Sequence, residues 1–144
     1  MIKRALTLVA ATLFALFGVA LAASPAHAGS AHFVDDKVAL TQTGDTLTVA
    51  FKEAGLGNEP QVHVVLSADA ACWNLGDNHP KAANKETVSA AGDFPVQNGR
   101  VEGSLSVEGS LSVFDPSSPC PDPMVVVYSN VVLTDQTSGI FVNL

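Results

Sequence analysis

From Val38 onward the chain alternates between apolar and polar positions. Val38 to Thr43 and Thr46 to Lys52 are two runs of period two, with Leu47, Val49 and Phe51 on one side and Thr48, Ala50 and Lys52 on the other. Half-buried strands read this way because successive side chains point to opposite faces. Gly44-Asp45 between the runs predicts a two-residue hairpin turn. A third run, Gln61 to Ser67, puts Val62, Val64 and Leu66 on an inner face and His63 on the outer face beside Gln61 and Val65. From Asp69 to Glu86 the alternation is lost, and the segment reads as one long irregular loop. Loops beyond about 12 residues are uncommon without a function or a covalent staple.

Extended character returns from Thr87 to Val96, and Asn98-Gly99 is the strongest hairpin signal in the chain. The six residues Val101-Glu-Gly-Ser-Leu-Ser are then repeated at once from Val107. An even-numbered repeat preserves strand parity, so Val101, Leu105, Val107, Leu111 and Val113 can share one face, with a bend or bulge allowed near Gly103 or Gly109. Two copies cannot bury the core of a β-solenoid, so the duplication is read as lengthening one strand. Phe114 to Pro123 is a proline-rich loop. Met124 to Thr134 carries the longest β-branched run, which belongs in the middle of a sheet, and Ile140 to Leu144 forms a short last strand. The sum is seven to eight strands without a helical period. The predicted fold is all-β over 38–144, an antiparallel two-sheet sandwich of the immunoglobulin-like kind, with a closed barrel as the other solution. Gly29 to Lys37 has no period and reads as a flexible N-terminal arm.

Residues 1–28 change the picture of where this domain works. Lys3 and Arg4, the uncharged stretch from Ala5 to Ala23 and the small-x-small pattern Ala26-His27-Ala28 together predict a secretory signal peptide. An uncleaved membrane anchor is the competing reading, since the stretch approaches the roughly 20 residues that span a bilayer. With the leader removed, five basic residues remain against fourteen acidic ones, a formal charge of −9. That acidity disfavours nucleic acid and anionic membrane surfaces as partners. The expected localisation is secreted and extracellular, as a monomer or small oligomer. Export puts the chain's two cysteines, Cys72 and Cys120, in an oxidising place, where a single disulfide is expected. By loop-closure entropy such a bridge stabilises the fold by about 4 kcal/mol.

The runs LTQTGDTLTVAFKEAGLG, HPKAANKETVSA, FPVQNGRVEGSLSV and YSNVVLTDQTSG resemble a group of small exported actinobacterial proteins, mostly described as hypothetical. The resemblance covers nearly the whole chain after the leader and implies the same sandwich and single disulfide. It implies no activity and no catalytic residues. The doubled VEGSLS departs from the group's pattern, in which a proline-rich loop follows one copy.

Candidate chemistry is sparse. His63 and His79, with Asp69 or Asp77, lack any metal-ligand or general-base spacing, and no G-x-S-x-G elbow occurs. No catalytic residue, metal or cofactor is expected. Asp69, Asp77 and Asn78 could hold a surface calcium ion, but their order lacks the logic of a known calcium loop. Trp73, beside Cys72, either packs over the disulfide or stands as an exposed aromatic platform. The expectation is a secreted, non-enzymatic binding module, contacting a protein or glycan through Trp73, Asn74, Asp77, His79, Pro119, Pro121 and Asp122. In a variant of this reading it is an adaptor in a secreted assembly, its N-terminal arm adding as a strand to a partner. Two alternatives stand beside it. One is a protease inhibitor acting through the 117–125 loop, which loosely resembles the disulfide-pinned loop of secreted subtilisin inhibitors. The other is a carrier of a small apolar ligand in a cleft between sheets, as in the antibiotic-binding sandwich apoproteins of the same bacteria.

Overall fold

The computed structural model describes residues 29–74, 80–109, 120 and 124–144, with backbone alone for 80–84. Among the described residues eight strands run in chain order: β1 (His32–Phe33), β2 (Ala39–Thr43), β3 (Thr46–Ala54), β4 (Gln61–Asn74), β5 (Pro80–Pro95), β6 (Arg100–Glu108), β7 (Met124–Asp135) and β8 (Ile140–Asn143). All pairings are antiparallel. In the first sheet β6 covers one edge of β3 from Thr46 to Ala54, and β1 and β2 share the other edge. The second sheet has the order β5-β4-β7-β8. The chain crosses from the first sheet to the second after β3, returns after β5 and crosses again before β7. With β3 paired to β6 and β4 paired to β7 at the sheet centres, this is an immunoglobulin-like sandwich.

Alternation decides the core. Leu47, Val49 and Phe51 of β3, Val62, Val64 and Leu66 of β4, Val101, Leu105 and Val107 of β6, and Val131 and Leu133 of β7 are all buried. Each contributes about 1.5–3 kcal/mol by leaving water. The Gly44-Asp45 turn joins β2 to β3 as expected, with Thr43 opposite Thr46. Asn98 and Gly99 both adopt positive φ, 52° and 70°, which is the backbone a two-residue turn between twisted strands needs.

The structure departs from the sequence reading in several places. Residues 29–37 are not a flexible arm. His32 and Phe33 pair with Ala54 and Glu53, and Phe33 is buried edge-on against Phe51 with ring centroids 6.1 Å apart. Val34 N donates to the Lys52 carbonyl, and a 3-10 turn follows at Asp35–Lys37. A buried aromatic ring holds this segment. It is already a strand of its own sheet.

The segment from Asp69 to Glu86 is not a long loop either. β4 continues to Asn74 and β5 begins at Pro80, so both strands extend far beyond their alternating parts. Gly103 introduces no bulge, since β3 and β6 stay in register through Phe51↔Gly103. A Cβ there would lie 2.5 Å from the Phe94 ring, which packs at 85° to Phe51, so the glycine makes room for an aromatic. β7 lies between β4 and β8, but β8 covers only Val132 to Asp135. Leu111, Val113 and the proline-rich loop apart from Cys120 lie outside the described residues, as do residues 1–28.

Two side chains tie the sheets together at the end near the hairpin turn. Gln42 Nε2 of β2 donates to the Val126 carbonyl of β7 at 2.8 Å. The Tyr128 hydroxyl accepts from Gly109 N at 2.7 Å and donates to the Asp45 carbonyl. Burial pushes the Tyr128 phenol above its ordinary range.

Candidate functional site

Cys72 and Cys120 are joined, with Cα atoms 5.7 Å apart. The bridge differs from the inter-sheet disulfide of immunoglobulin domains. It ties the far end of β4 to the approach to β7, its neighbour in the same sheet. Both sulfurs sit in a small buried cluster with Ala70 and Val126, bordered by Val88, Met124 and Tyr128.

Trp73 follows Cys72 along the strand and therefore takes the opposite face. Its ring does not belong to the cluster around the disulfide; it lines a hollow on the outside of the second sheet. Strand parity selects the neighbours. Asp69 and Ala71 of β4 lie opposite Thr87 and Lys85 of β5, Trp73 lies opposite Pro80 across a register shift in that pairing, and the three lie opposite Ser129, Val127 and Val125 of β7. A hollow of about 400 Å³ on this face is lined by Asp69, Trp73, Lys85, Thr87, Ser129 and Asn130, among others.

A β-bulge shapes this face. Ser67 pairs with Val132 and Asp69 with Ser129, so β7 carries one residue more than β4 over the interval. The extra residue is absorbed around Asn130, whose φ is +49°. Asparagine is among the few residues that tolerate this left-handed backbone. Bulges re-aim side chains, and here Asn130 Nδ2 donates to Asp69 Oδ2 at 2.9 Å. From the other side Thr87 Oγ1 donates to Asp69 Oδ1 at 2.8 Å. The hydrogen bonds from Asn130 and Thr87, with a smaller contribution from the Lys85 charge, hold the Asp69 carboxyl below the usual carboxylate range. Three adjacent strands thus present one ionised, fixed carboxylate with donors and acceptors around it, in a hollow that Trp73 also lines.

Of the site residues expected from sequence, Trp73 lines this hollow and Asn74 ends β4 opposite Met124. Asp77, His79, Pro119, Pro121 and Asp122 lie outside the described residues, and so does most of the 117–125 loop. Thr87, Lys85, Ser129 and Asn130 were not anticipated. The available signal was a Ser-Asn pair interrupting a valine run. His63 pairs with Asp93 across the strands, Nδ1 to Oδ1 at 2.7 Å, rather than with Asp69. Among the described residues no group of three or more His, Cys, Asp or Glu side chains gathers to hold a metal ion.

A second polar arrangement lies inside the core. Glu53 of β3 and Asp135 of β7 are fully buried and face each other from the two sheets. Asp135 Oδ1 accepts from Thr137 N at 2.7 Å. With both carboxyls ionised, Glu53 Oε1 and Oε2 and Asp135 Oδ2 have no donor among the described residues. A proton on Glu53 supplies one, making a carboxyl–carboxylate hydrogen bond. Burial, then that bond, then the Asp135 charge push the Glu53 carboxyl up to about 8.

No protein-family model, curated protein or solved structure matches the chain. The fold and the site therefore carry the functional argument.

Proposed function

We propose that the chain is a secreted, non-enzymatic binding module that takes a protein or glycan partner on the outer face of β5, β4 and β7 around Trp73. The observation that supports this most is the fixed Asp69 carboxylate, locked between Thr87 and Asn130 in a hollow that Trp73 also lines. Left-handed backbone at a non-glycine residue costs of order 1 kcal/mol or more, and here the distortion aims a side chain at an exposed face rather than into the core. The signal-like leader and the disulfide support an extracellular setting.

A second reading, a carrier of a small ligand, draws on the size of the hollow, which falls within the range of small-molecule sites. The hollow lies on the outside of one sheet rather than between the two.

The test is recovery of the tagged mature protein from culture supernatant, with bound proteins read by pull-down and bound small molecules by native mass spectrometry. Wild type should retain a defined species that Trp73→Ala and Asn130→Gly lose. If every species recovered with wild type is recovered equally with both variants, the binding face is refuted.

A further inference from the structure

We infer that the hollow beside Trp73 is a saccharide site, accepting a neutral sugar whose C–H face lies on the indole and whose hydroxyls meet Asp69, Asn130, Ser129 and Lys85. This rests on the binding face argued above and narrows it to one ligand class. The hollow holds about 400 Å³, the scale of a small ligand rather than of a protein surface.

The chemistry of the lining separates ligand classes. Asp69 is an acceptor only, Glu86 adds further acceptor oxygens, Lys85 is a donor only, and Ser129, Thr87 and Asn130 offer both functions. Neutral polyols match that mixture, because each hydroxyl donates once and accepts twice. An apolar ligand would strip water from the ionised Asp69 and give nothing back, which is costly for a charge. Anionic ligands would meet Asp69 within an acidic chain. A cationic ligand would compete with Lys85, whose charge already acts on Asp69.

Rigidity completes the case. Sugars lose much of their binding energy to ordering when protein side chains must be fixed on arrival. Here the carboxylate is held from both sides, by Thr87 on β5 and by Asn130 at the β7 bulge. The only tryptophan in the chain is the one at this site, which gives it an intrinsic reporter.

The experiment uses the ¹⁵N-labelled mature protein, titrated with neutral hexoses, pentoses and their soluble oligosaccharides. The readouts are the Trp73 indole N–H and the Asn130 side-chain amide. At least one sugar should shift both saturably, with a Kd between about 10 μM and 10 mM. Trp73→Ala and Asn130→Gly should each weaken that Kd about tenfold or more. Asn130→Gly is the fold-safe variant, since glycine adopts a φ of +49° without strain. Phe141→Ala, on the exposed β8 edge strand, should bind as wild type does. The inference is overturned if no sugar shifts the two signals, or if binding survives Asn130→Gly unchanged. It is also overturned if the apolar dye ANS or choline saturates the two signals while no sugar does. Should the sugars fail while supernatant recovery remains sensitive to Trp73→Ala, the saccharide class falls and the binding face stands. Should both fail, both readings fall.

Discussion

Replacing Glu53 by glutamine should remove most of the pH dependence of stability between about pH 4.5 and pH 8. In the folded state the Glu53 carboxyl is raised from 4.5 to about 8, so the folded chain keeps a proton that the unfolded chain releases. Wherever the folded state binds more protons, stability falls as pH rises. This contribution is fully present below about pH 4.5, declines through the interval, and is lost once pH passes the folded value near 8. At 1.36 kcal/mol per pKa unit the displacement corresponds to something on the order of 5 kcal/mol. Domains of this size have only about 5–15 kcal/mol in total. A single buried pair therefore governs a large part of the margin.

Glutamine has the same shape, carries no charge at any pH and can donate its amide to Asp135. We expect urea unfolding of the disulfide-intact wild type, run from pH 4.5 to 9, to lose several kcal/mol across the range while Glu53→Gln stays nearly level. Wild type should be the weaker of the two at pH 8.5. Parallel profiles for the two proteins would refute the shared proton, and with it the claim that Asp135 faces a protonated acid. Asp69 and Glu102 act in the opposite sense at the acid end. Both are held below their ordinary ranges by hydrogen bonds, from Asn130 and Thr87 and from Lys52 respectively, so what they contribute is lost as pH falls through those depressed values. Optimal stability should therefore lie in mildly acid solution.

Tyr128→Phe deletes the hydroxyl that holds Gly109 N and the Asp45 carbonyl, and should cost about 1–3 kcal/mol in denaturant unfolding without altering the strand content by circular dichroism. Gly103→Ala forces a methyl into the Phe94 and Phe51 rings and should cost about 1–3 kcal/mol, with the Phe94 and Phe51 resonances shifting in NMR. Reduction of Cys72–Cys120, which are 48 positions apart, should lower the unfolding free energy by up to about 4 kcal/mol, measured by urea titration with and without reductant. Phe33→Ala should release the first strand and cost about 3–5 kcal/mol, the range for emptying a buried aromatic site, with the amides of residues 32–34 losing hydrogen-exchange protection.

The parts of the fold that were legible share one cause. Where one face is buried and the other wet, alternation appears in the residues themselves, as in Leu47-Val49-Phe51 and Val62-Val64-Leu66. The parts that were not legible are strands held by neighbours rather than by propensity. β4 is hydrogen-bonded on both edges, to β5 and to β7, so Asp69 to Asn74 stays extended although aspartate, alanine and asparagine are poor strand residues. Glu53 and Asp135 escaped notice for a related reason. Each lies just past the end of an alternating run, at Lys52 and Thr134, and continuing the count by one residue places both carboxylates on the inward face.

The bulge at Asn130 was hidden by the valines that make β7 conspicuous. Val126 and Tyr128 point inward before it, Val131 and Leu133 after it, so the inward positions change from even to odd within one strand. A run with valine at both parities tolerates either register, and nothing in its apolar pattern marks where the change occurs. The polar residues mark it. Ser129 and Asn130 occupy the point where parity flips, and the left-handed Asn there keeps β7 paired with β4 on both sides of the flip while turning a donor toward Asp69. The same reasoning relocates Trp73. As part of a loop it could pack over the disulfide or stand as an exposed platform; as part of a strand, adjacency puts Trp73 and Cys72 on opposite faces. The disulfide thus secures the inner side of the β4–β7 pair at the place where the outer side carries Trp73, and one short stretch of β4 serves the core and the proposed binding face through alternate residues.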